Sequence, residues 1–131
     1  MASGNAGGTL RALRATLILG AAYDLAFAAA LVFAPGLPAR LLGLPPPGER
    51  FYLWVLAILL AMLAAAYLAA WRDPLRYRAV VWIAIVGRLC AGAAFVACAL
   101  PRPDLAGLYA LAAGDSLIAV AHLATSAPLR A

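Results

Sequence analysis

Four long apolar runs make up most of the chain, and each is bounded by a short cluster of proline, glycine and charged residues. The first extends from about Ala15 to Ala34 and stops at PGLP; the second extends from Phe51 to Trp71, after PPPGER. The third opens at Asp73-Pro74, where the aspartate suits a helix cap and the proline a first turn, and continues to Leu100 before PRPD. The fourth is expected over 105–124, with Asp104 as its cap. About 20 apolar residues in an α-helix cover the roughly 30 Å of a bilayer's hydrocarbon core. The pattern therefore predicts an all-α, integral membrane four-helix bundle with spans at about 15–34, 51–71, 74–100 and 105–124 and cytoplasmic tails at 1–14 and 126–131.

A cleaved signal peptide is the competing reading of the first run, because Arg11 and Arg14 precede it and AFA occupies 26–28. Asp24 just ahead of that triplet, and the continuation of the run to full span length, favour a retained helix. Between the first two runs, PGLPARLLGLPPPGER is long for a hairpin, and its leucines fall on one side with Arg40 among them. A short helix lying in the membrane interface fits this pattern, as does an ordered loop.

Composition agrees with a membrane protein: 67% of residues are hydrophobic and 11% charged. The net charge of +5 comes from ten basic residues, all arginine, against five acids; the arginines lie at segment ends apart from Arg88, without the basic stripe that phosphate tracking needs, so no nucleic-acid partner is implied. The arginines instead carry a topology signal. With the N-terminus inside, the cytoplasmic flanks hold Arg11, Arg14, Arg72, Arg76, Arg78 and Arg130, and the opposite flanks Arg40, Arg50 and Arg102. This asymmetry favours both termini in the cytoplasm of a multi-pass protein of the cell inner (plasma) membrane. Phe51, Tyr52, Trp54 and Tyr109 would form the outer aromatic belt, and Trp71, Tyr77 and Trp82 the inner one.

Small residues mark faces on which helices can approach closely: Ala57, Ala61, Ala65 and Ala69 on the second span, and Gly107, Ala110, Gly114 and Ala121 on the fourth. Gly87 and Gly92 are expected to make room for neighbours in the same way. Cys90 and Cys98 have neither CxxC nor zinc spacing and read as buried small apolar residues.

Three ionisable residues interrupt the spans. Asp24 lies ten residues beyond Arg14, Arg88 ten beyond Arg78, and Asp115 ten before the expected helix end at Thr125. At 1.5 Å per residue each is about 15 Å deep, near the midplane. A charge at the centre of a lone helix costs about 2.5 to 3.5 kcal/mol even on the lenient insertion scale, so the three should turn inward. The five donors of a guanidinium can serve two carboxylates at once, which makes Arg88 the expected bridge between Asp24 and Asp115. Such a centre can hold a ligand or a proton, or can simply fix the register of the bundle.

His122 follows Asp115 by seven residues, on the same helix face and two turns nearer the cytoplasm, where it can extend a proton path, meet a ligand head group, or be satisfied by water or lipid phosphate. Tyr23 and Tyr67 are the other candidates for hydrogen bonding into the interior. Ser116 can bond its own helix backbone. One histidine without a second nearby ligand gives no metal or haem constellation.

Taken in order, LVFAPGLPARLLGLPPP, AAWRDPLRYR, GRLCAG and AAGDSLIAV give a chain that resembles the small four-helix bacterial membrane proteins of the DoxX-like grouping. The resemblance implies a four-helix membrane fold; some members of the grouping are associated with quinol oxidation or with redox and thiol-stress systems, and many have no assigned activity. It transfers no catalytic residue, and the paired cysteines of thiol-quinone enzymes are absent. Three functions follow as expectations. The first is an accessory subunit, in a membrane protein complex or a homo-oligomer, that binds a quinone or another lipophilic molecule at the polar centre. The second is an oligomeric proton-coupled transporter or channel that uses Asp24 or Asp115. The third is a structural scaffold. No nucleophile-base pair, phosphate loop or metal set points to a soluble enzyme.

Overall fold

A computed structural model describes residues 3–129. It is all-helical, with α1 at Ser3–Phe33, α2 at Gly36–Leu42, α3 at Arg50–Arg72, α4 at Arg78–Ala99 and α5 at Leu108–Thr125, and with single 3-10 turns at Pro103–Leu105 and Ala127–Leu129. Four helices are long and apolar enough to cross a membrane: Gly7–Phe33 of α1, and all of α3, α4 and α5.

Helix ends follow local chemistry. α1 stops ahead of Pro35, and the intervening segment forms α2, the helical alternative of the two readings of that connection. Gly43 closes α2 with φ 63°, a left-handed conformation that glycine adopts without steric cost, and the Leu44 N–H reaches the Ala39 carbonyl at 2.8 Å. The polyproline segment that follows carries the chain to α3 without a helix.

Three expected boundaries move. α1 begins at Ser3, well before Ala15, so the expected N-terminal tail is largely helix. Asp73 caps a separate turn: its Oδ1 accepts from the Arg76 N–H at 3.1 Å, and α4 starts only at Arg78. Asp104 lies inside the 3-10 turn and holds Arg102 (Nη2 to Oδ2, 2.6 Å) instead of capping α5, which begins at Leu108. Of the expected C-terminal tail at 126–131, residues 126–129 fold back, since Ser126 and Leu129 are buried; 130 and 131 lie outside the described residues.

Packing is uneven. α1 lies along α3 and α4 along α5, whereas α3 and α4 meet over a short stretch. The larger core gathers Leu13, Leu17, Tyr67, Val81, Ile85 and Leu129, so the N-terminal half of α1 and the end of the described chain meet. Toward the other end the buried apolar cluster shrinks to Ala28, Leu31 and Ala57.

Among the small residues, Gly92 performs the expected role. A Cβ there would lie 3.2 Å from Ser116 Oγ and 3.4 Å from the Ala112 carbonyl oxygen, so α4 and α5 meet closely at this level. The alanine stripe of α3 does not pack as expected: Ala57 is buried, but Ala61 and Ala65 are exposed. Steps of four residues advance about 400° around a helix, so such a stripe drifts off the packed face, which here continues through Ala64, Tyr67 and Ala70. Cys90 and Cys98 are exposed on the outside of the bundle, contrary to their expected burial.

Candidate functional site

Arg88 is the hub of the interior. Its Nη2 donates to Asp24 Oδ1 at 2.7 Å, its Nη1 to Asp115 Oδ1 at 2.5 Å, and its Nε to the Tyr67 hydroxyl at 2.7 Å. One residue from each of α1, α3, α4 and α5 thus meets at one level. Asp24 is 0% exposed, Arg88 4% and Asp115 8%. The guanidinium also lies over the rings of Tyr23 and Tyr67, with its carbon 5.3 and 5.4 Å from the centroids. The matching depths of Asp24, Arg88 and Asp115 are therefore matched by direct bonds.

The two carboxylates are not equivalent. Asp24 Oδ2 is buried with no hydrogen-bond partner among the described residues. Asp115 also bonds Arg88 through one oxygen only, but its side chain is 12% exposed against 0% for Asp24, and its second oxygen is not sealed. With both acids ionised, the cluster carries one net negative charge.

His122 belongs to the same interior. It is 1% exposed, its Nδ1 lies 2.7 Å from the Ile118 carbonyl oxygen one turn back, and its ring stacks on Tyr67 at 5.5 Å between centroids. The bond to a carbonyl requires the proton on Nδ1, which leaves Nε2 as an acceptor; that atom is buried and unpartnered. His122 is thus enclosed by the bundle instead of standing at an open helix end. Gly20 makes the stack possible. A Cβ at this position would lie 3.3 Å from Tyr67 Cε2 and 3.4 Å from His122 Cε1, so the absence of a side chain on α1 gives the two rings their place.

A cavity of about 280 Å³ adjoins the cluster. Its polar floor comprises Tyr23, Asp24, Arg88 and Asp115, and its apolar walls include Leu60, Leu63, Phe95 and Leu111. Leu56, Ile83 and Gly87 also line it and are exposed, so the cavity reaches the flank of the bundle between α3 and α4. Gly87 differs here from its expected role: a Cβ on it would meet nothing within 4 Å, so it opens space instead of fitting against a neighbouring helix. An engineered cavity of about 150 Å³ is enough to admit benzene, so a ring-sized head group is within this one's capacity.

The Tyr23 hydroxyl borders α5 next to Asp115, since a Cβ on Gly114 would lie 3.4 Å from it. Sequence reasoning placed the three charged residues and proposed both tyrosines. It gave no sign of the openness at Gly87, because a glycine that admits a helix and one that leaves a gap look alike in sequence. Among the described residues, no group of three or more His, Cys, Asp or Glu side chains is placed to hold a metal.

Comparison with protein-family models, with curated proteins and with solved structures finds no match to this chain.

Proposed function

We propose that this protein is a small integral membrane subunit that binds a lipophilic molecule in the cavity between α3 and α4, with the Asp24–Arg88–Asp115 cluster meeting its head group. The observation that carries the reading is the continuity from an exposed apolar rim to a floor of buried polar side chains. Small-molecule sites have this form: mostly apolar walls and a few convergent polar groups. A quinone-like compound is one candidate occupant, in keeping with the resemblance to DoxX-like proteins. The arginine distribution supports N-in, C-in insertion in a bacterial plasma membrane. The transporter alternative has less support, because Arg88 holds both acids that would have to exchange a proton for a cation.

The test is solvent extraction and mass spectrometry of protein purified in lipid nanodiscs, comparing wild type with Gly87→Leu. The substituted side chain would project into the cavity and leave the polar cluster untouched. A lipophilic species enriched with wild type and depleted with the variant is expected; equal recovery from both would count against the site.

A further inference from the structure

The cavity floor offers a ligand a particular polarity. Arg88 is 4% exposed, lies over two tyrosine rings, and already donates to three oxygens. Asp24 borders the cavity but is 0% exposed, which leaves it little surface for a ligand. Asp115 remains: Oδ1 is held by Arg88 at 2.5 Å, and Oδ2 has no partner among the described residues. Its side chain is 12% exposed, and it lines the cavity. An ion-paired carboxylate only accepts hydrogen bonds. Tyr23 lines the same cavity, and its hydroxyl, which lies against α5 at Gly114, has no hydrogen-bond partner among the described residues and can donate or accept.

We propose that the cavity selects lipophilic molecules whose head group carries a hydroxyl, a lipid alcohol or phenol in preference to an ether, ketone or hydrocarbon, with Asp115 Oδ2 as the accepting atom. The ligand hydroxyl donates to that oxygen and can accept from the Tyr23 O–H. An ether or ketone of the same shape has no proton to give and sets a lone pair against the carboxylate, so of a quinone-like occupant the site would favour the reduced, quinol form. A charged acceptor kept from water without a donor is costly, and the discrimination expected from it is roughly tenfold or more. This inference rests on the lipophilic-ligand reading above.

The test uses the full chain in nanodiscs with two matched pairs of probes: para-dodecylphenol and its methyl ether, and farnesol and its methyl ether. Each pair shares a tail, so membrane partitioning is nearly the same and the head group is isolated. The readout is the concentration, relative to lipid, needed to raise the unfolding temperature. Each hydroxyl compound should act at a roughly tenfold lower concentration than its ether. Asp115→Asn, whose amide presents a donor where Oδ2 stood, should remove or reverse the preference while Arg88 keeps its other two bonds. Equal action of both members of each pair on wild type would overturn the hydroxyl inference and leave the cavity reading intact. If no probe acts on wild type, both fall. The wild-type comparison decides the matter even where the variant folds poorly.

Discussion

Tyr67 accepts the Nε–H of Arg88 at 2.7 Å while its ring stacks on His122, so one side chain of α3 joins the charged centre to the histidine two turns along α5. Tyr67→Phe keeps the stack and removes the acceptor. It leaves a buried guanidinium N–H unpaired and should cost about 1 to 3 kcal/mol. Tyr67→Ala also empties the core and should cost about 3 to 5 kcal/mol. Reversible unfolding in mixed micelles measures both, and equal losses would place the whole effect in the hydroxyl's hydrogen bond and none in packing.

Neutralising the centre piecemeal should be worse than neutralising it together. Arg88→Leu strands two carboxylates that are at most 8% exposed, and the expected loss is about 3 to 5 kcal/mol. Adding Asp24→Asn and Asp115→Asn to Arg88→Leu should recover a large part of it, because no uncompensated buried charge remains. A triple variant no more stable than Arg88→Leu would mean that hydrogen-bond geometry, not charge, dominates.

Three glycines give a graded series. Gly87→Ala enters open space and should change stability by less than about 0.5 kcal/mol. Gly20→Ala presses on the Tyr67 and His122 rings, which must give by a few tenths of an ångström, and should cost about 1 to 3 kcal/mol. Gly107→Ala should be the most damaging, since its Cβ would overlap the Leu42 carbonyl, a backbone atom that cannot swing away. The order of melting temperatures tests all three together.

Much of the interior was legible because depth in a membrane helix is a linear count. Ten residues from an arginine or a helix end set Asp24, Arg88 and Asp115 at one level, and the cost of a charge in lipid turned them inward. What the count could not supply was direction around the helix axis. Cys90 and Cys98 fall on the outward side of α4, and nothing in an evenly apolar run separates that side from the inward one. The turn after Asp73 was missed for a different reason. Asp-Pro begins a helix or a lone turn equally well, and the bond from the Arg76 N–H to Asp73 serves either; here a turn forms and α4 starts only at Arg78. The return of Leu129 to the core was hidden because a short segment after a helix has no periodicity of its own.

At the opposite end of the molecule, Arg102 and Asp104 form an exposed pair in the α4–α5 connection, with Nη2 and Oδ2 2.6 Å apart. The hydrogen bond from Arg102 holds the Asp104 carboxyl below the usual aspartate range. A carboxyl lowered on folding stabilises above its unfolded pKa, and the contribution disappears as pH falls through the lowered value. The gap in melting temperature between wild type and Asp104→Asn should therefore be small at neutral pH, shrink further with added salt, and close in acid. A gap that persists in acid would assign the aspartate's effect to the 3-10 turn instead.

The exposed rim of Leu56, Ile83 and Gly87 has a consequence for how the cavity is supplied. A molecule arriving past these residues comes from a two-dimensional solution, so its availability scales with its mole fraction among lipids and not with its concentration in water. Each methylene added to its tail favours that reservoir by about 0.8 kcal/mol, close to fourfold per carbon. Long-tailed molecules would therefore crowd the entrance even when almost none is dissolved outside. A contact weak enough to release its occupant quickly can then stay filled, and tail length would govern occupancy before head-group chemistry does.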